Sequence, residues 1–244
     1  MPDRIDFSQR VDIPEYMDGP CSYEDLRRCL QDLAVVNRIT RAHLPILEFL
    51  EEQVQSKPPR PLRVVDFGCG YGDMLRRIER WAAGRGVVLD LVGVDVNQNA
   101  IRAAREATPA SSRIVWIHGD VYAGAGGDKA DVIAVSGVLH HLAEPEIVRF
   151  LRWADQTARL GWVAVDLHRM PVPYRIFNLL MRGPWWHPFI HYDGLASIRR
   201  AFLVEDWQRM CAAAGLCAED VAIRHHRPAR LCVERRKAAH AQRT

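Results

Sequence analysis

The stretch from Val64 to Leu75, VVDFGCGYGDML, joins a short apolar run to an aspartate and then to Gly68, Gly70 and Gly72, with a second aspartate directly behind them. An apolar run of this length reads as a buried strand. The glycines after it permit a tight turn and bring backbone N–H groups close to a ligand at the start of a helix. Without a ligand the same residues would serve as a plain strand-to-helix turn. Their spacing separates two kinds of ligand. A dinucleotide fingerprint runs G-x-G-x-x-G, which would put its third glycine at position 73, where this chain has Asp73. An acid there repels a pyrophosphate and disfavours NAD or FAD, whereas a ligand carrying positive charge would suit Asp66.

Outward from that stretch, short β-rich runs alternate with segments of helical period. The runs are LRVVDF, VVLDLVGVDV, RIVWIHG, ADVIAVS and GWVAVDL. Between them Met74, Leu75, Ile78, Trp81 and Ala82 share one helical face, and Ile147, Phe150, Leu151 and Ala154 share another. This alternation predicts a parallel sheet covered by helices on both sides. A late helix around Trp207, Met210 and Cys211 stops at Gly215. AEDVAIRH and ARLCVER then have only a tight connection between them, as an antiparallel hairpin at the sheet edge requires. Upstream, Ser22 and Asp25 form a capping-box signature for a helix whose apolar face carries Leu26, Cys29, Leu30, Leu33 and Val36. Pro45 should end or restart that helix, and SKPPRP marks the entry to the main domain.

The 244 residues are enough for one large α/β domain and few for two. With 48% hydrophobic and 26% charged residues and no long unbroken apolar run, the composition is that of a soluble globular protein with no membrane span. The acidic, proline-broken N-terminus is not a signal peptide, so a cytoplasmic location is expected. The six cysteines show neither C-x-x-C pairs nor metal-like spacing and read as free thiols. The net charge of +3 sits largely between Arg224 and Arg243. That reads as a solvated basic end, and no nucleic-acid partner is expected.

At this point the residues resemble a family. VVDFGCGYGD is similar to the first motif of the class I S-adenosylmethionine-dependent methyltransferases, and the likeness continues in order from about Arg63 to Arg235. The resemblance implies a three-layer α/β/α, Rossmann-like fold with a mostly parallel seven-stranded sheet whose last strand is antiparallel. It also implies S-adenosyl-L-methionine as cofactor, held by Asp66, Gly68, Cys69, Gly70 and Gly72 of the loop. Asp95 at the end of LVGVD would accept from the ribose hydroxyls, since one carboxylate can take two hydrogen bonds from a vicinal diol. Val96 would pack on the adenine, Asp120 and Val121 of HGDVY would meet its amino edge, and Ser136 would lie beside the methionine part.

The same resemblance points to a small-molecule methyl acceptor, with a hydroxyl of an aromatic, polyketide-like or quinone-like compound favoured. Candidate catalytic groups are His140, His141 and Asp166, because histidine accepts a proton near neutral pH and an acid can orient it. The histidines are equally readable as packing or capping residues after the fourth strand. The expected organisation is an N-terminal segment and helical cap over 1–57, the methyltransferase domain over 58–237 with a substrate-lid insertion at about 170–203, and a basic tail over 238–244. His168, Tyr174, Trp185, Trp186 and Tyr192 are expected to line the acceptor pocket. His187 and His191 stand at i, i+4, but with no partner acid evident no metal is expected. A monomer or homodimer is expected. Competing readings are a methyltransferase acting on RNA or protein and a catalytically silent cofactor-binding protein.

Overall fold

The computed structural model describes residues 5–55, 60–124 and 130–237. Most of the SKPPRP linker and the basic tail over 238–244 lie outside the described residues. Five parallel strands form the body of a seven-stranded sheet: β1 (Leu62–Phe67), β2 (Leu89–Asp95), β3 (Val115–His118), β4 (Val132–Ser136) and β5 (Gly161–Leu167). β6 (Val221–His226) and β7 (Arg230–Arg236) complete it in the order β3-β2-β1-β4-β5-β7-β6. β7 runs antiparallel between β5 and β6, so the hairpin adds an interior and an edge strand together. The order reverses between β2-β1 and β4, which is where open α/β sheets bind ligands.

Side-chain alternation along the strands sends successive residues to opposite faces. Val64, Val132, Ala134, Val163 and Val165 belong to one buried cluster. It is filled by α2 (Leu44–Gln55), α3 (Asp73–Ala83) and α4 (Gln98–Glu106). Val65, Ile133, Val135, Trp162 and Ala164 belong to the other, under α5 (Glu144–Thr157) and α8 (Val204–Ala213). α2 therefore packs into the sheet core through Ile46, Phe49 and Leu50 rather than capping the site. The cap comes from α1 (Tyr23–Ile39), whose N-cap Ser22 accepts from Asp25 N–H, and which lies against α4. Between β5 and α8 stand α6 (Pro171–Leu180) and α7 (Pro188–Arg200).

Candidate active site

The glycine loop leaves β1 with Gly68, Gly70 and Gly72 at φ of 65°, 51° and 73°, a region open mainly to glycine. Its first N–H groups, of Gly68 and Cys69, both donate to Val94 O and tie the loop to β2. A Cβ at Gly72 would stand 2.2 Å from the Trp116 ring, so this glycine serves packing and does not border the cavity. Gly68, Cys69 and Gly70 do border it.

Asp66 departs from its expected place. It is 2% exposed, sits in the middle of the sheet between Gly93 and Ala134, and does not reach the cavity wall. Burial, reinforced by Asp73 and Asp95, pushes its carboxyl well above the usual carboxylate range. Asp73, the residue that broke the dinucleotide spacing, is the acid that borders the cavity. Two strand-end acids, Asp95 and Asp120, also border it. Asp95 accepts from Gly70 N–H (2.9 Å, Oδ2) and Asn97 N–H (2.8 Å, Oδ1), which leaves each oxygen a lone pair toward the cavity. Asp120 accepts from Tyr122 N–H at 2.8 Å, and Val96, Val121 and Ser136 border the same space.

A cluster of titratable groups borders the same cavity, of about 1250 Å³. His140 and His141 occupy a short turn after β4. The buried Nδ1–H of His140 donates to Asp166 Oδ1 at 2.7 Å, and its backbone N–H donates to Oδ2 at 3.2 Å. Burial alone would raise Asp166, but the His140 imidazole and its hydrogen bond offset this and hold the carboxyl below its ordinary value. Asp166 lies outside the cavity wall, which His140 borders.

Glu15, which the sequence reading missed, stands before both imidazoles, 3.8 Å from His140 Nε2 and 3.8 Å from His141 Nε2. His141 Nδ1 meets Asp18 at 3.1 Å. The N-terminal segment that brings these acids is clasped by Arg200, whose guanidinium donates to the carbonyls of Ile13, His140 and His141 and to Asp18. Asp193 accepts from Tyr16 and Met17 N–H, and Ser197 Oγ donates to Glu15 at 3.0 Å. Burial raises Glu15 from 4.5 to about 7, with His141 pulling the other way. The folded chain therefore retains a proton that the unfolded chain loses between about pH 4.5 and 7, and stability falls across that window as pH rises. Glu15→Gln should abolish this fall, a gain on the order of 3 kcal/mol at pH 8. Thermal melts from pH 4 to 8 check it, and a variant that tracks the original slope would mean that Glu15 titrates as a solvated acid.

Arg230, at the start of β7, was also missed. It is buried, borders the cavity beside Leu167 of β5, and makes no ion pair among the described residues. Its Nη2 donates to Asn37 (3.0 Å) and Thr40 (3.4 Å), its Nε is buried without a partner, and Asp73 and Asp166 act on it only through space. A buried cation of this kind in a cavity wall is suited to an anionic ligand group.

The expected acceptor wall is corrected. His168 stacks on His225 (5.0 Å) beside the hairpin, and Tyr174 packs edge-on against Phe7 (5.4 Å). Tyr192 stacks on Tyr16 (4.4 Å), while Trp185 is exposed; these residues and Trp186 are outside the cavity wall. The aromatic faces of α6 and α7 grip the N-terminal segment, and the wall is formed instead by aliphatic residues of α6 with Phe177. His187 and His191 bond separately, to Asp25 and to Asn178.

Residues 64–161 match the methyltransferase domain family. The chain is 33% identical over 143 residues to trans-aconitate 2-methyltransferase of Mycolicibacterium gilvum, covering 57% of this chain and 51% of that protein. It is 28% identical over 166 residues to ubiquinone biosynthesis O-methyltransferase of Roseobacter denitrificans, covering 63% and 64%. The chain thus spans about half to two thirds of the length of these relatives. Among solved structures, plantazolicin methyltransferase BpumL with a desmethyl substrate analogue and SAH has a TM-score of 0.64 at 13% identity, covering 87% of this chain and 96% of that one. Human N-acetylserotonin methyltransferase with SAM has a TM-score of 0.61 at 15% identity, covering 89% and 57%. At these identities the structures establish the fold.

Proposed function

We propose that this chain, which is a class I methyltransferase in its fold and over residues 64–161, transfers a methyl group from S-adenosylmethionine to a hydroxyl of a small, largely apolar molecule. The observation that carries this reading is the buried His140–Asp166 pair, 2.7 Å apart, whose His140 borders the same cavity as the glycine loop and Asp95. When bound, the cofactor supplies an electrophilic methyl on a sulfonium sulfur.

The free lone pairs of Asp95 would take the ribose hydroxyls, and Asp120 with Val96 and Val121 would take the adenine. Arg230 would hold the carboxylate of the amino-acid end, with Asp73 opposite its ammonium. His140 Nε2 accepts the proton of the acceptor hydroxyl while Asp166 holds Nδ1–H and stabilises the imidazolium. The hydroxyl oxygen, freed of its proton, is then the nucleophile. His141 and Glu15 complete a cluster that shares the proton, and Arg200 keeps both acids in place. Positioning of the two reactants contributes on the order of 7–11 kcal/mol and the base about 10²–10⁴-fold.

Titration calorimetry with S-adenosylmethionine, followed by methyl-transfer assays on phenols, hydroquinones and amines in EDTA, tests the reading. Binding with EDTA-resistant transfer to a hydroxyl is expected. Transfer only to amines, or only after a divalent ion is restored to the donor set of Glu15, His140 and His141, would overturn the proton-relay role.

A further inference from the structure

Helix α6 has no buried residue, although it is rich in apolar side chains. Val172, Ile176 and Leu180 are each more than half exposed, and all three border the cavity. The same cavity is bordered by α1, where Leu30, Leu33, Val36 and Ile39 recur at helical spacing along its wall. Leu30 starts this stripe beside the glycine loop, 3.8 Å from where a Cβ would stand on Gly70, and Ile39, 68% exposed, ends it at the rim. From Leu30 to Ile39 the helix rises about 14 Å.

Exposed apolar residues gathered on one patch mark a ligand or partner site. This patch belongs to the wall of the cavity of about 1250 Å³ that the glycine loop, Asp95, His140 and His141 also border. The polar groups that could meet an acceptor, Glu15, His140 and His141, border the same cavity, and the α1 and α6 residues on its wall are apolar apart from Asn37. A compact polar acceptor would leave this corridor wet. An acceptor with a hydroxyl head and an apolar tail would cover it.

We infer that the methyl acceptor is an amphiphile, a hydroxylated ring bearing a long alkyl or isoprenoid chain that lies between α1 and α6. This rests on the methyl-transfer reading for the head group, while the corridor itself is independent of turnover.

The test compares 4-methyl-, 4-pentyl- and 4-dodecylphenol below their aggregation limits, both as substrates by kcat/KM and as ligands by calorimetry in the presence of S-adenosylhomocysteine. Each methylene buried is worth up to about fourfold, so the dodecyl compound should exceed the methyl compound by on the order of 100-fold or more. Ile176→Asp and Leu180→Asp, both at exposed positions, should collapse that ratio by at least tenfold. Leu179→Asp, on the same helix but outside the cavity wall, should leave it intact. Chain-independent kcat/KM and binding would overturn the inference while leaving methyl transfer standing. Tight binding of the dodecylphenol with no transfer to any phenol would sustain the corridor and sink the hydroxyl chemistry. Equal losses in all three variants would assign the apolar face to a second copy or a membrane surface and overturn it.

Discussion

Replacing His140 by alanine is expected to lower turnover by about 10²–10⁴-fold, the range that a positioned general base supplies, with S-adenosylhomocysteine binding unchanged. The imidazole is the cavity-side member of the pair, and nothing else in the cluster has its Nδ1–H fixed by a buried, ionised partner. Asp166→Asn should approach the same loss by a different route. An asparagine can present its amide N–H to Nδ1, which moves the ring proton to Nε2 and removes the lone pair that accepts from substrate. His141→Ala should cost less, because His141 is partly exposed and paired with Asp18, itself half open to solvent. Single-turnover rates with saturating cofactor separate these outcomes from binding defects. Near-normal turnover in both His140→Ala and His141→Ala would remove the base from the mechanism.

The second large effect is expected at Arg230. A charged hydrogen bond is worth about 1.5–3 kcal/mol, so Arg230→Met should raise the Kd of S-adenosylhomocysteine by about 10- to 100-fold. Methylthioadenosine carries the same nucleoside without the amino-acid end, and its Kd should barely move. The substitution removes a buried charge that has no ion-pair partner among the described residues, so the variant should fold at least as stably as the parent. Equal weakening of both ligands would mean that Arg230 shapes the site instead of reading a carboxylate. An unchanged Kd for both would free it for an anionic acceptor.

The strand ends that border the cavity were legible because they depend on local signals. Strand ends are readable from period and punctuation, and Asp95, Asp120 and Ser136 stand at such ends regardless of tertiary detail. Asp66 was misread for a related reason. Strand position alone does not say whether a residue at the edge of a run points along the sheet or out of it, and here burial leaves the following loop acid, Asp73, to face the cavity. The acceptor half resisted because it depends on which face of α6 turns inward and on elements from opposite ends of the chain. Tyr174 and Tyr192 looked like walls by composition, but Phe7 and Tyr16 claim them. Glu15 and Arg230 gave little signal, one lying in a proline-broken lead segment and the other in a tight hairpin. Glu15 stands at the N-cap of a single 3-10 turn, Tyr16–Asp18, too short to leave a period in the sequence.

The clasp between the N-terminal segment and α7 has a temporal consequence. Glu15 meets Ser197 across 182 positions, and Arg200 reaches Asp18 across the same span. Contacts between such distant segments form after local ones, and on a ribosome the partner helix emerges when most of the chain has already been made. The glycine loop, Asp95 and Asp120 take their places from β1 to β3, whereas the cluster of Glu15, His140 and His141 waits for α7. A growing chain would therefore acquire a place for its cofactor well before it acquires chemistry.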